Sequence, residues 1–279
     1  MKNLVVDGEK FNFLEFNQDK KDCLLFLHGN SHSLNTFSHQ MSSPKLQNFR
    51  LIFVDMPGHG DSFKSQDYSL TKMAKSIYDF MSAMECDNII IVGHSLGGHV
   101  AINMLKYLAP AGLFLFGTPP LKNPFAAEAF LPNNNAIALG KTEASFEEIE
   151  MLVNEMNYRD EQKQTAMADY LRTDSTFRQV IFTDIIAGSH SNECDLIKSF
   201  DGEVKFLLAT KDSLINNNYI LNEFSSSGQE FAEIEAGHSP HVEMPDLFNK
   251  NLSEFSIKVF NNRNLNNIHQ HESFHEQRN

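Results

Sequence analysis

Only three cysteines occur in the 279 residues, Cys23, Cys86 and Cys194, with no C-x-x-C or C-x-x-H spacing. That excludes a disulfide framework and a thiolate zinc site, and it leaves three free thiols packed in a reducing compartment. No run approaches the ~20 apolar residues of a membrane span. The opening Met1-Lys2-Asn3-Leu4-Val5-Val6-Asp7-Gly8 lacks the apolar stretch of a secretory signal. A soluble, cytoplasmic protein is the expectation. Bases are scarce: 23 Lys and Arg stand against 36 Asp and Glu, a formal charge of -13. Such a balance argues against nucleic acid and anionic membranes as partners.

What the chain does have is apolar material, 41% of it, enough for one domain with a large core. Asp7-Gly8 between Leu4–Val6 and Phe11–Phe16 signals a hairpin. Inner strands follow at Cys23–Leu27, Leu51–Asp55, Ile89–Val92, Leu113–Phe116, Val204–Ala209 and Phe231–Glu235. Between the second and third of these, Leu70, Met73, Ala74, Ile77, Met81 and Met84 mark one helix face behind a Ser69 cap. Pro245 opens a last amphipathic helix with Phe248, Leu252, Phe255 and Val259 inward. Strands alternating with helices imply parallel crossovers. The expectation is an α/β fold whose mostly parallel sheet of about eight strands is flanked by helices.

The most telling stretch is Ile89-Ile90-Ile91-Val92-Gly93-His94-Ser95-Leu96-Gly97-Gly98, an apolar run, a G-x-S-x-G and the opening of a helical pattern. Strand, sharp turn and helix in that order make a nucleophile elbow, which strains the serine and lifts its oxygen clear of the sheet. Positions two before and two after must be nearly free of side chain, and Gly93 and Gly97 meet that demand. Gly97, Ala101, Met104, Leu105 and Leu108 then recur at helical spacing, so the helix N-terminus points its amides at Ser95. A glycine-rich turn with an inert serine has the same local pattern. The partners downstream decide between the two.

A nucleophilic serine needs a base, and the base needs an acid to hold its tautomer. In this strand-turn-helix class the order is Ser, then Asp or Glu, then His, each beyond a strand end. Asp212 lies past Val204–Ala209, and His238 follows Ala236-Gly237 past Phe231–Glu235. The loop Gly117-Thr118-Pro119-Pro120-Leu121-Lys122-Asn123-Pro124 carries no carboxylate, so Asp212 is the acid. His241 competes as base, but His238 directly follows the strand-ending glycine and takes the role. His28, His59 and His94 sit in turn motifs and read as structural hydrogen-bonders; His32 and His99 fall near the presumed mouth. The anion hole draws on the backbone amides of Leu96, after the nucleophile, and Asn30, in the loop His28-Gly29-Asn30-Ser31 after the early strand. The Asn30 side chain itself reads as a turn-former.

Four landmarks in order carry a resemblance over about Lys2 to Phe260: His28-Gly29-Asn30-Ser31; Asp55-Met56-Pro57-Gly58-His59-Gly60-Asp61-Ser62; Gly93 to Gly98; and Gly237-His238-Ser239-Pro240-His241-Val242-Glu243-Met244-Pro245. Together they resemble the α/β-hydrolase superfamily, in its small capped members. The resemblance implies nucleophile, acid and base roles for Ser95, Asp212 and His238, and a structural turn shaped by Asp55 with Gly58. Dehalogenases and epoxide hydrolases of that fold carry aspartate at the elbow, where this chain has Ser95. Proline iminopeptidases usually show a tryptophan beside the nucleophile, and no tryptophan occurs here. The activity implied is cofactor-free, metal-free hydrolysis of small to medium carboxylic esters through an acyl-enzyme at Ser95. Carbon-carbon bond hydrolysis, thioester hydrolysis, cofactor-free haloperoxidase chemistry or slow-turnover ligand sensing are the alternatives, because the superfamily hosts many chemistries.

One insertion breaks the strand-helix rhythm. The core domain spans 1–120 and 201–260, and 121–200 between them reads as a helical cap over the serine, inserted after the strand ending near Phe116. Ser145 with Glu148 forms a capping box ahead of Ile149, Leu152, Val153 and Met156. Further helical pieces run Asp160–Leu171 and Thr176–Ile186. Ser31, Met151 and Met156 are the substrate-pocket candidates, with Met167, Phe177 and Phe182 weighed beside them. The tail 261–279 is rich in Asn, His and Gln and short of apolar residues, which predicts disorder. His269, His271 and His275 there are read as part of that tail and not as a metal site.

Overall fold

Alternating residues of β3 (Asp22–Leu27) show why the sheet is central: Cys23, Leu25 and Leu27 enter one apolar cluster, Leu24 and Phe26 the other. A strand buried on both faces reads as a continuous apolar run because neither side meets water. The computed structural model describes residues 1–156 and 158–276, with side chains described to residue 265. Its eight-stranded sheet has the order β1-β2-β4-β3-β5-β6-β7-β8. The other strands are β1 (Lys2–Val6), β2 (Glu9–Phe16), β4 (Arg50–Val54), β5 (Asn88–His94), β6 (Gly112–Phe116), β7 (Glu203–Ala209) and β8 (Glu230–Ile234). Pairs β1·β2 and β2·β4 are antiparallel and the rest parallel. The β1–β2 turn places Asp7 at φ 50° and Gly8 at φ 85°, the left-handed pair that a two-residue hairpin demands.

Helix α1 (Ser38–Met41) is a single turn after β3. Helices α2 (Leu70–Ala83), α3 (Leu96–Met104) and α8 (Asn217–Phe224) cover one face of the sheet, and after the single turn α9 (Pro240–Glu243), α10 (Pro245–Glu276) covers the other. Ser69 caps α2 by accepting the Lys72 amide proton, and the helix buries Leu70, Met73, Ala74, Ile77, Phe80 and Met81. Each of these side chains larger than alanine contributes roughly 1.5–3 kcal/mol. Phe248, Leu252, Phe255 and Val259 of α10 sit in the opposite cluster. Helix α10 runs on to Glu276, into the segment whose composition predicts disorder. A helix already nucleated and anchored by its apolar face adds a hydrogen bond for each further residue it fixes, with no second nucleus. Residues 277–279 and the side chains of His269, His271 and His275 lie outside the described residues.

Between β6 and β7 the chain forms the helical insertion: α4 (Phe146–Glu155), α5 (Asp160–Arg172), α6 (Ser175–Ala187) and α7 (Glu193–Lys198). The Ser145–Glu148 capping box is formed in both directions. The insertion is tied to the core by Asp174, whose amide donates to the Gly58 carbonyl at 2.8 Å and whose carboxylate accepts the Tyr68 hydroxyl at 2.8 Å. The parallel strands β3 to β8 all end at one edge, where the insertion contacts the loops after β3 and β4. That edge is where open α/β sheets gather functional loops.

Candidate active site

Ser95 takes φ 51°, ψ −116°, a left-handed conformation that a non-glycine residue holds only when its surroundings force it. Those surroundings are visible. The Ser95 amide donates to the Phe116 carbonyl at 3.0 Å, while the Ser95 carbonyl accepts from the Gly98 amide at 2.9 Å and the Thr118 hydroxyl at 3.0 Å. A methyl added at Gly97 would lie 2.2 Å from the Leu27 carbonyl oxygen, and one at Gly93 would lie 2.5 Å from the Gly98 Cα. Strand and helix therefore meet at backbone contact, and Leu96 opens α3 with an amide that has no carbonyl one turn earlier to bond.

Asp212 follows β7. Its Oδ1 accepts the Leu214 and Ile215 amides at 2.9 and 3.2 Å, and its Oδ2 lies 2.8 Å from His238 Nδ1. A carboxylate accepts, so Nδ1 carries the proton and Nε2 is left as an acceptor. His238 follows β8 and lies over the end of β6: a methyl on Gly117, at φ 60°, would come within 2.9 Å of His238 Cε1. Ser95 is bonded to Phe116, the neighbour of that same glycine. The loop carrying His238 is steadied by Glu243, whose carboxylate accepts the amides of Gly237 (3.0 Å) and Ser239 (3.3 Å), and by His94 Nε2, which donates to the His238 carbonyl at 3.0 Å.

His241 is fully buried, bonds Thr36 Oγ1 through Nε2 at 2.9 Å, and is held well below the usual imidazole range, first by burial and then by His32 and His238. Among the described residues no carboxylate is hydrogen-bonded to it, and Asp212 pairs with His238 instead. The turn histidines behave as structural groups. His28 Nδ1 bonds the Gly29 carbonyl at 2.8 Å and its Nε2 accepts the Met56 amide; His59 Nε2 accepts the Ser31 amide. His99, which the sequence puts near the presumed mouth, is buried against the insertion. Its Nδ1 lies 2.8 Å from Glu193, a buried carboxylate that also accepts Asn103 Nδ2 and the Leu121 amide. Glu193 belongs to α7, which covers α3 at this point.

The loop after β3 is braced from several sides. The Gly29 carbonyl accepts from His28 Nδ1 and from the His32 amide, which fixes the peptide plane carrying the Asn30 amide proton. Asn30 Nδ2 donates to the Leu139 carbonyl, so that side chain closes a contact with the insertion. Ser31, at φ 59°, is 4% exposed, and its hydroxyl donates to Asn30 Oδ1 and accepts from Arg178 Nη1 at 3.0 Å. Its hydroxyl is thus spent joining insertion to core. Met156 is buried with Ile149, Leu152 and Val153. Met151 is 47% exposed, because the inward face of α4 and its C-cap is taken by those four and Met151 falls on the solvent side. Phe177 packs on His59 and Tyr68 as core, while Phe182 is partly exposed.

Sequence patterns do not single out Tyr158, Arg178 or Gly117 as site residues. Glu243 stands inside the last landmark, where its spacing from Gly237 is the signal that could have marked it. Among the described residues, no group of three or more His, Cys, Asp or Glu is placed to hold a metal ion, and no helix is long and apolar enough to cross a membrane.

Sheet order, strained serine turn and helical insertion define the class as an α/β-hydrolase fold. The model of the Alpha/beta hydrolase family matches residues 24–251, and the chain belongs to that family. A Mycoplasma genitalium protein provisionally named esterase/lipase 2 is 24% identical over 258 residues, covering 85% of this chain and 89% of that one. A Bacillus subtilis protein provisionally named 2-succinyl-6-hydroxy-2,4-cyclohexadiene-1-carboxylate synthase is 23% identical, covering 91% and 97%. Among solved structures, an N-acyl homoserine lactonase mutant complexed with N-hexanoyl homoserine lactone superposes with TM-score 0.84 at 22% identity, covering 92% and 97%. A thermophilic esterase from Thermogutta terrifontis gives 0.78 at 18%, covering 93% and 99%. At these identities the structural likeness speaks to the fold alone.

Proposed function

We propose that the chain is a serine hydrolase of small to medium carboxylic esters, working through an acyl-enzyme at Ser95. The reading rests chiefly on the 2.8 Å pair of Asp212 and His238 beside a serine strained at φ 51°. His238 Nε2 takes the Ser95 proton as Oγ attacks the ester carbonyl, and the Leu96 and Asn30 amides receive the oxyanion. The imidazolium then protonates the departing alkoxide. Water, deprotonated by the same nitrogen, attacks the acyl-serine and releases the acid. Asp212 stays ionised, holding the tautomer and supporting the positive ring. The esterase- and lactonase-named relatives agree with a small ester or lactone as substrate. The insertion 121–200 acts as the cap over this edge, and the three free thiols suit the cytoplasm.

The test is Ser95→Ala on p-nitrophenyl acetate and butyrate, with fluorophosphonate labelling mapped by mass spectrometry. Turnover is expected to fall by about 10³-fold or more with the fold intact, and the label to sit on Ser95. Retained turnover in the alanine variant refutes the mechanism. Thioesters and carbon-carbon substrates run beside the esters set the preference among acyl groups.

A further inference from the structure

Tyr158, between α4 and α5, reaches down from the cap and is buried, with its hydroxyl 2.9 Å from His32 Nε2 and 2.8 Å from Ser239 Oγ. The direction of both bonds follows from the neighbours. His32 Nδ1 lies 3.0 Å from the Asn30 carbonyl oxygen, which only accepts, so Nδ1 bears the proton and Nε2 accepts. Burial holds the ring to a pKa of about 4, keeping it neutral in that tautomer. Tyr158 therefore donates to His32, and the Ser239 hydroxyl donates to Tyr158.

Each end of this chain leads into one half of the site. His32 grips both carbonyls of the loop after β3: its amide donates to Gly29 at 3.3 Å and its Nδ1 to Asn30. The Gly29 carbonyl shares its peptide plane with the Asn30 amide, one of the two oxyanion donors. At the other end, Ser239 directly follows His238 and its amide is held by Glu243. The two loops come from opposite ends of the chain, and Tyr158 spans them from a third segment.

We propose that Tyr158 is a positioning residue, a cap-borne hydroxyl that holds the oxyanion loop and the base loop in register, so that the hydrolytic site is complete only with the cap seated. The proposal rests on the serine-hydrolase reading above. Tyr158 acts through His32 and Ser239 and takes no part in proton transfer to substrate. Its loss leaves the His32 acceptor and the Ser239 donor buried and free to turn to other partners, and each loop moves with its own side chain.

The experiment compares the full chain with Tyr158→Phe, which removes one oxygen. Since displacements near 1 Å cost up to about 100-fold, kcat on p-nitrophenyl butyrate and the fluorophosphonate labelling rate are expected to fall together by about 10- to 100-fold with KM almost unchanged. Hydrogen exchange is expected to quicken in both 29–33 and 237–240. Ser239→Ala, which severs only the base-loop arm, gives a smaller drop in kcat and adds little on top of Tyr158→Phe. A Tyr158→Phe enzyme with wild-type kcat, or a loss confined to KM, overturns the proposal. If the wild type is not labelled at Ser95, the hydrolase reading fails by itself. Exchange then decides Tyr158: quickened in both loops it stands, unchanged in both it falls. Should Tyr158→Phe not fold, Ser239→Ala alone decides, and unchanged kcat with unchanged exchange at 237–240 overturns it.

Discussion

Asp212 and His238 are 26 residues apart in sequence and 2.8 Å apart in space, and the value of the pair lies in which nitrogen it protonates. With Nδ1–H committed to the carboxylate, Nε2 is the acceptor that a serine needs. An amide at 212 can offer its NH₂ to Nδ1 and so stabilise the opposite tautomer. Asp212→Asn is therefore expected to leave the melting temperature nearly unchanged and to lower kcat at neutral pH by about 10⁴-fold. Steady-state rates against pH check this, and a variant within tenfold of wild type removes Asp212 from the mechanism. That His238, not His241, would meet Asp212 was readable from its place after the strand-ending glycine. The histidine-specific surroundings were not: His241 is fully buried and His99 is committed to Glu193 through contacts with segments distant in sequence.

The elbow depends on how closely α3 approaches β3 and β5. Atoms within 2.7 Å of a methyl at Gly97 would all be backbone, the Leu27 and His28 carbonyl groups among them, so no rotamer change relieves the clash. Gly97→Ala is expected to cost about 1–3 kcal/mol of stability, and to slow fluorophosphonate labelling by shifting the Leu96 amide. Thermal melting and labelling kinetics measure both, and an unaltered labelling rate shows that the helix start tolerates displacement. Strands, the capping box at Ser145 and Glu148, and α2 with its Ser69 cap were legible because their signals are local: apolar period, cap chemistry and turn residues. Helix α7 was not, because its role comes from Glu193, whose carboxylate is satisfied by groups on α3 and in the loop after β6. Nor was the outward direction of Met151, which depends on what packs against α4.

Across the molecule as a whole, five of the buried imidazoles, His28, His32, His59, His94 and His241, are held below their usual pKa, with burial the first cause. A base whose folded pKa is depressed contributes stability above its unfolded value of about 6.5, and that contribution is lost as pH falls through the folded values. Asp169, raised to about 6 by burial, acts oppositely, since its contribution fades as pH rises through 6. Five bases outweigh one acid. Stability is thus expected to decline between about pH 6.5 and 4, by up to about 1.4 kcal/mol per pH unit for each histidine taking up its proton. Urea midpoints at pH 7.5 and 5 measure it, and equal midpoints contradict it. The order of strands and helices, the strained serine turn, and the pairing of Asp212 with His238 followed from residue pattern alone, because backbone preference, apolar period and motif order act along the chain. Which groups meet was settled by folding: Tyr158 between His32 and Ser239, Arg178 on Ser31, the imidazole of His238 passing Gly117. Such meetings depend on distances between segments far apart in sequence, and those distances exist only once both faces of the sheet are covered.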